Sequence, residues 1–122
     1  AYSDALGSIF QKLNDRGTET IFMTPNMMNT YVSGQITEDV LLKIAEHTAK
    51  TQNSGVMDAY MDAARQISSV FGIPVCDCYA KWKELYASGA DTTLLLANHI
   101  NHPTREMHKL FADSLLEMIM NR

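Results

Sequence analysis

Thr20-Ile21-Phe22-Met23-Thr24, closed by Pro25-Asn26, is the stretch on which the fold turns. It is a short run of β-branched and aromatic side chains, preceded by the glycine of Asn14-Asp15-Arg16-Gly17. A continuous apolar run of this length between turn residues reads as a strand buried on both faces, as in a parallel sheet. Ile73-Pro74-Val75-Cys76-Asp77 repeats the pattern after Gly72. Pro74 lies near its start, where a missing N–H is tolerated.

Helical periodicity fills the rest. Leu6, Ile9, Phe10 and Leu13 recur at spacings of three and four, which predicts a helix from about Ser3 to Asp15, with Ser3 as N-cap and Gly17 at its C-terminal end. Thr37 is the expected cap of a helix to about Lys50 that turns Val40, Leu41, Ile44 and Ala45 inward. Val56 to Phe71 carries Met57, Tyr60, Met61, Ala64, Ile67, Ser68 and Phe71 at helical spacing. Cys78 to Ala87 reads as a helix with Tyr79, Trp82, Leu85 and Tyr86 on a broad apolar face, and Asp91-Thr92-Thr93 as the cap of a single turn. Pro103 to about Met120 reads as the last helix, with Met107, Leu110, Phe111, Ser114, Leu115, Met118 and Ile119 on one side. Strands flanked by helices predict an α/β domain with two parallel strands. Two strands are few for a doubly wound sheet, so the chain reads as one domain over residues 1–122 that is the second half of a larger α/β unit.

Composition narrows the function classes. The chain is 46% hydrophobic and 20% charged, an ordinary globular balance. A net charge of −4 with scattered Lys and Arg argues against nucleic acid as a partner. No apolar stretch approaches the ~20 residues of a membrane helix. The chain opens into Tyr2-Ser3-Asp4 without the basic and apolar regions of a signal peptide, and compartment stays open. Cys76 and Cys78 read as a buried, reduced pair and the eight methionines as core filling.

The chemistry concentrates in Asn98-His99-Ile100-Asn101-His102-Pro103. Proline suits the first position of a helix, so His102 is expected at a helix's N-terminal edge, where a rigid element would hold it facing an opening. Read alone, His102 is either a base or a helix-end histidine bonded to its neighbours. His99, His102 and His108 match no strong metal motif, and no metal or other cofactor is expected. Asn26, after the first strand, is a candidate substrate contact or a turn former, and Asn101 is a second candidate contact.

Three stretches together resemble the C-terminal half of the SGNH/GDSL hydrolases, esterases with a three-layer αβα flavodoxin-like fold. They are Ile21-Phe22-Met23-Thr24-Pro25-Asn26, then Gly72-Ile73-Pro74-Val75-Cys76-Asp77-Cys78-Tyr79, then Asn101-His102-Pro103 followed by His108, Phe111 and Ala112. The resemblance implies a serine hydrolase acting on small acyl esters of carbohydrates or lipids, with His102 as general base. The family's Gly-Asp-Ser nucleophile block and its Gly and Asn oxyanion donors do not occur here, so the chain alone is expected to be inactive. Where the family places Asp, three residues before the catalytic histidine, this sequence has His99. The orienting role then falls to Asn98, to a backbone carbonyl or to a carboxylate elsewhere such as Asp77. The alternative is a non-catalytic α/β interaction module that oligomerises through its sheet edge, since unpaired edges invite pairing. Either reading admits a partner chain or a homo-oligomer that completes the sheet.

Overall fold

The computed structural model describes residues 1–121. Five helices and two very short strands follow one another as α1 (Tyr2–Asp15), β1 (Phe22–Met23), α2 (Asp39–Asn53), α3 (Val56–Val70), β2 (Val75–Cys76), α4 (Cys78–Ala87) and α5 (His108–Met120). The strands are parallel, with Phe22 opposite Val75 and Met23 opposite Cys76. Their expected order and direction hold, but the three-layer flavodoxin-like architecture does not. The molecule is a small, mostly helical protein. Proline limits the sheet: Pro25 follows Thr24 at once, and Pro74 offers only its carbonyl, which accepts from the Phe22 N–H at 2.9 Å. Thr24 N–H closes the ladder on the Cys76 carbonyl at 3.0 Å. So short a sheet offers little area to cover, and α3 packs directly against both α1 and α2.

Three clusters make the core. Leu6, Phe10, Ala64 and Ile73 join α1 to α3, with Phe22 packed edge-on against Phe10. Gly7 faces the Phe71 ring, where a Cβ would make an ordinary contact at 3.4 Å. Met27, Met61, Tyr79, Trp82 and Leu96 form the second cluster, covered by Met107, Leu110 and Phe111. Ile36, Ala45 and Ile100 form the third.

Several helix readings shift. Helix α1 is capped by Ala1 rather than Ser3, α2 begins after Glu38 rather than Thr37, and α2 continues past Lys50 to Asn53. Its buried residues are Ala45, Ala49 and Gln52, whereas Val40, Leu41 and Ile44, expected inward, are exposed. The largest shift lies before α5. Pro103 does not open the helix, because Leu96 and Pro103 form an antiparallel bridge, with Ala97 N–H donating to the His102 carbonyl at 2.7 Å and Thr104 N–H to the Leu95 carbonyl at 2.9 Å. A proline φ serves extended backbone as well as a first helical turn. Thr104 instead accepts from the Met107 N–H, and the helix begins at His108. Among the described residues no helix is long and apolar enough to cross a membrane.

Candidate functional site

The site is the hairpin-like loop from Ala97 to His102, closed at its base by the Leu96–Pro103 bridge. Asn98 organises it. Its side-chain oxygen accepts from the N–H groups of Ile100, Asn101 and His102 at 3.1, 2.9 and 3.0 Å, and its amide nitrogen donates to Asn101 Oδ1 at 2.9 Å. Asn98 therefore meets His102 at the backbone N–H and makes no hydrogen bond to its ring. His99 is the one non-glycine described residue with positive φ, at 58°. That conformation is disfavoured for an L-residue, though His tolerates it better than most. Its N–H donates to the Leu96 carbonyl at 3.0 Å, and its Nδ1 is buried with no hydrogen-bond partner.

Two contacts dock this loop on the segment after β1. Asn29 N–H donates to the Ile100 carbonyl at 2.9 Å, and Asn26 Nδ2 donates to the Asn101 carbonyl at 3.0 Å while also reaching the Met27 carbonyl at 2.8 Å. Ile100, 4% exposed, is the apolar anchor. Four residues singled out in the sequence, Asn26, Asn98, Asn101 and His102, thus come together, with the His loop docked on the segment that leaves the carboxyl end of β1. His102 is exposed, and its ring makes no hydrogen bond among the described residues. His108 stands apart, with Nδ1 at 2.9 Å from the Thr104 carbonyl. No cluster of metal-ligand type occurs among the described residues.

Asp77 has another task. Its Oδ1 caps α4 by accepting from the Ala80 N–H at 3.1 Å and also accepts from the Thr24 hydroxyl at 2.9 Å. Arg65 forks onto it through Nε at 2.7 Å and Nη2 at 3.2 Å. Burial lifts this carboxyl, but Arg65, the Ala80 N–H and Thr24 outweigh it and hold it below the usual carboxylate range. Thr24 closes the network by accepting from the Tyr79 N–H at 2.9 Å.

The chain matches no family profile, no curated protein and no solved structure. Function must therefore be argued from the geometry.

Two residues that the sequence did not single out support the site from behind. Asn29 is fully buried and hydrogen-bonded at every polar atom of its side chain. Gln52 accepts from the Met28 N–H at 2.9 Å and donates to the Tyr79 hydroxyl at 2.7 Å, which in turn donates to Asp58 at 2.7 Å. Burial and the Asp58 carboxylate drive the Tyr79 hydroxyl far up, so it stays a donor. Gln52 falls beyond the expected end of α2, and Asn29 reads as one turn former among several, so neither gives a local signal.

The chemistry open to this arrangement is proton transfer. A histidine at a loop end, docked through backbone contacts with its ring open to solvent, can serve as a base toward a group brought to it. No serine hydroxyl hydrogen-bonds to a histidine ring among the described residues. A cavity of about 560 Å³ lies at the opposite ends of the strands, between Thr18–Ile21 and Gly72–Pro74, and touches none of these residues.

Proposed function

We propose that this chain supplies the general-base half of an SGNH-type serine hydrolase acting on small acyl esters of carbohydrates or lipids. The observation that supports it most is the docking of the His loop on the segment after β1 by Asn26 and Asn29, which leaves the His102 ring open. Parallel strands bring their ligands to this end. In this reading His102 takes the proton of a serine hydroxyl as it attacks the ester carbonyl and returns it to the leaving alkoxide. Asn98 holds the loop through its backbone, Asn26 and Asn101 border the substrate, and the serine and oxyanion donors come from residues outside these 122 or from a partner chain. The test is the natural full polypeptide with any partner that co-purifies, exposed to a fluorophosphonate. Labelling of one serine together with acetyl-ester hydrolysis is expected. Absence of both overturns the reading.

A second reading, an interaction module that oligomerises through its sheet edge, is favoured by one feature. Phe22 and Thr24 direct their N–H groups to β2, so the backbone of Met23 between them faces the opposite edge, where it makes no hydrogen bond among the described residues. A partner strand there would extend the sheet, and the exposed Val40, Leu41 and Ile44 of α2 add apolar area for association. Concentration-dependent self-association without ester hydrolysis would select this reading.

A further inference from the structure

We infer that Asn29 is a positioning residue for His102, setting where the His loop stands relative to α2; the catalytic part of this inference rests on the hydrolase reading above. Asn29 is 0% exposed, which is unusual for an asparagine, and both polar atoms of its side chain are hydrogen-bonded. Its Nδ2 donates to the Tyr31 carbonyl at 3.0 Å and to the Ala45 carbonyl at 2.9 Å, and its Oδ1 accepts from the Thr48 hydroxyl at 2.6 Å. The bonds to Ala45 and Thr48 tie the segment after β1 to the middle of α2, and the bond to Tyr31 braces the segment itself. The backbone N–H of the same residue then donates to the Ile100 carbonyl, two residues before His102. Ile100 also shares a core cluster with Ile36 and Ala45, so the same turn of α2 is joined to the loop by a polar route and an apolar one.

The arrangement separates two functions, the shape of the loop and its placement. Asn98 fixes the loop's internal shape, whereas Asn29 fixes where that shape is placed. Asn26 adds one bond to the Asn101 carbonyl from a half-exposed position, where water competes for it. A buried amide with every partner filled has no such competitor, so its loss is not replaced. Positioning matters to a base because proton transfer needs heavy-atom approach within hydrogen-bond reach.

The test uses the natural full polypeptide carrying Asn29→Ala or, as a milder change that removes the hydroxyl bonded to Asn29 Oδ1 and also within reach of the Ile44 and Ala45 carbonyls, Thr48→Val. Two readouts are taken: hydrogen exchange of the amides of Asn29 and residues 98–102, and the kcat and KM of acetyl-ester hydrolysis. Exchange across the loop should quicken about tenfold or more in Asn29→Ala, and less but in the same direction in Thr48→Val. Hydrolysis should lose kcat while KM changes little. Unchanged exchange at 98–102 in the folded Thr48→Val and Asn29→Ala proteins would overturn the inference, as would a loss confined to KM. Quickened exchange in a protein whose parent hydrolyses no ester would uphold the placement of the loop and refute the hydrolase reading instead.

Discussion

Replacing Asp77 with alanine removes the residue on which β1, α3 and α4 converge, and its cost can be worked through contact by contact. The N-cap of α4 is worth about 1 kcal/mol. The Thr24 hydroxyl, 0% exposed, would keep its bond from the Tyr79 N–H but lose its own acceptor, a burial cost of about 1–3 kcal/mol. The Arg65 fork is partly solvated, with the two side chains 33% and 29% exposed, so after screening it adds about 0.5–1 kcal/mol. These contributions share one carboxylate and do not add fully, which gives about 3 kcal/mol for Asp77→Ala. Asparagine keeps the cap and an acceptor for Thr24, so Asp77→Asn should cost only about 1 kcal/mol. The pH dependence has a definite sign. The folded carboxyl titrates below its unfolded value of about 3.9, so the unfolded chain binds the proton more readily. The stabilisation is therefore complete above pH of about 4 and disappears as pH falls through the folded value. Asp58 is depressed in the same way, against its burial, by Tyr79 and Lys83, so the comparison has to be the difference between parent and variant. Urea unfolding followed by circular dichroism at pH 7 and pH 3 measures it. A cost for Asp77→Ala below about 1 kcal/mol at pH 7, or a gap between parent and Asp77→Asn that widens toward pH 3, would refute the reasoning.

Asn98→Ala removes the acceptor shared by three loop N–H groups, so the amides of Asn101 and His102 should exchange about tenfold faster. Asn98→Asp keeps that acceptor and loses only the donation to Asn101, so its effect should be smaller. The Cys78 thiol is pushed up to about 11 by burial and by Cys76, whose sulfur lies 3.9 Å away. At pH 8 native protein should therefore react with a thiol reagent only as fast as it opens, and rapid stoichiometric labelling would contradict this. His99→Gly removes a disfavoured backbone conformation and a buried, unpartnered nitrogen, and should leave stability unchanged or raise it by about 1 kcal/mol in a thermal melt.

What could be read in the sequence follows the range of the forces involved. The helices and the two parallel strands were legible because periodicity and turn residues act locally, and Tyr79 and Trp82 are buried as their place on an apolar helix face suggests. The architecture was not legible, because it depends on how far a sheet extends. With Pro25 and Pro74 cutting the strands to two residues each, α2 finds no sheet to cover and turns Ala45 and Ala49 inward instead of Val40 and Ile44. Pro103 misled for a related reason, since its φ suits a bridge as well as a helix start. At the site, the His loop stood out by composition, and the asparagines beside it by their place after a strand. That Asn26 and Asn101 meet across 75 residues is a tertiary fact with no local trace, and so is the burial of Asn29.

The most direct test of the account is the rate of acetyl-ester hydrolysis by the natural full polypeptide with His102→Ala against its parent. A general base contributes about 10²–10⁴ in rate, so the variant should lose at least a hundredfold in kcat, and its fluorophosphonate labelling should slow with it while the fold is kept. Unchanged turnover in His102→Ala would contradict the assignment of the base.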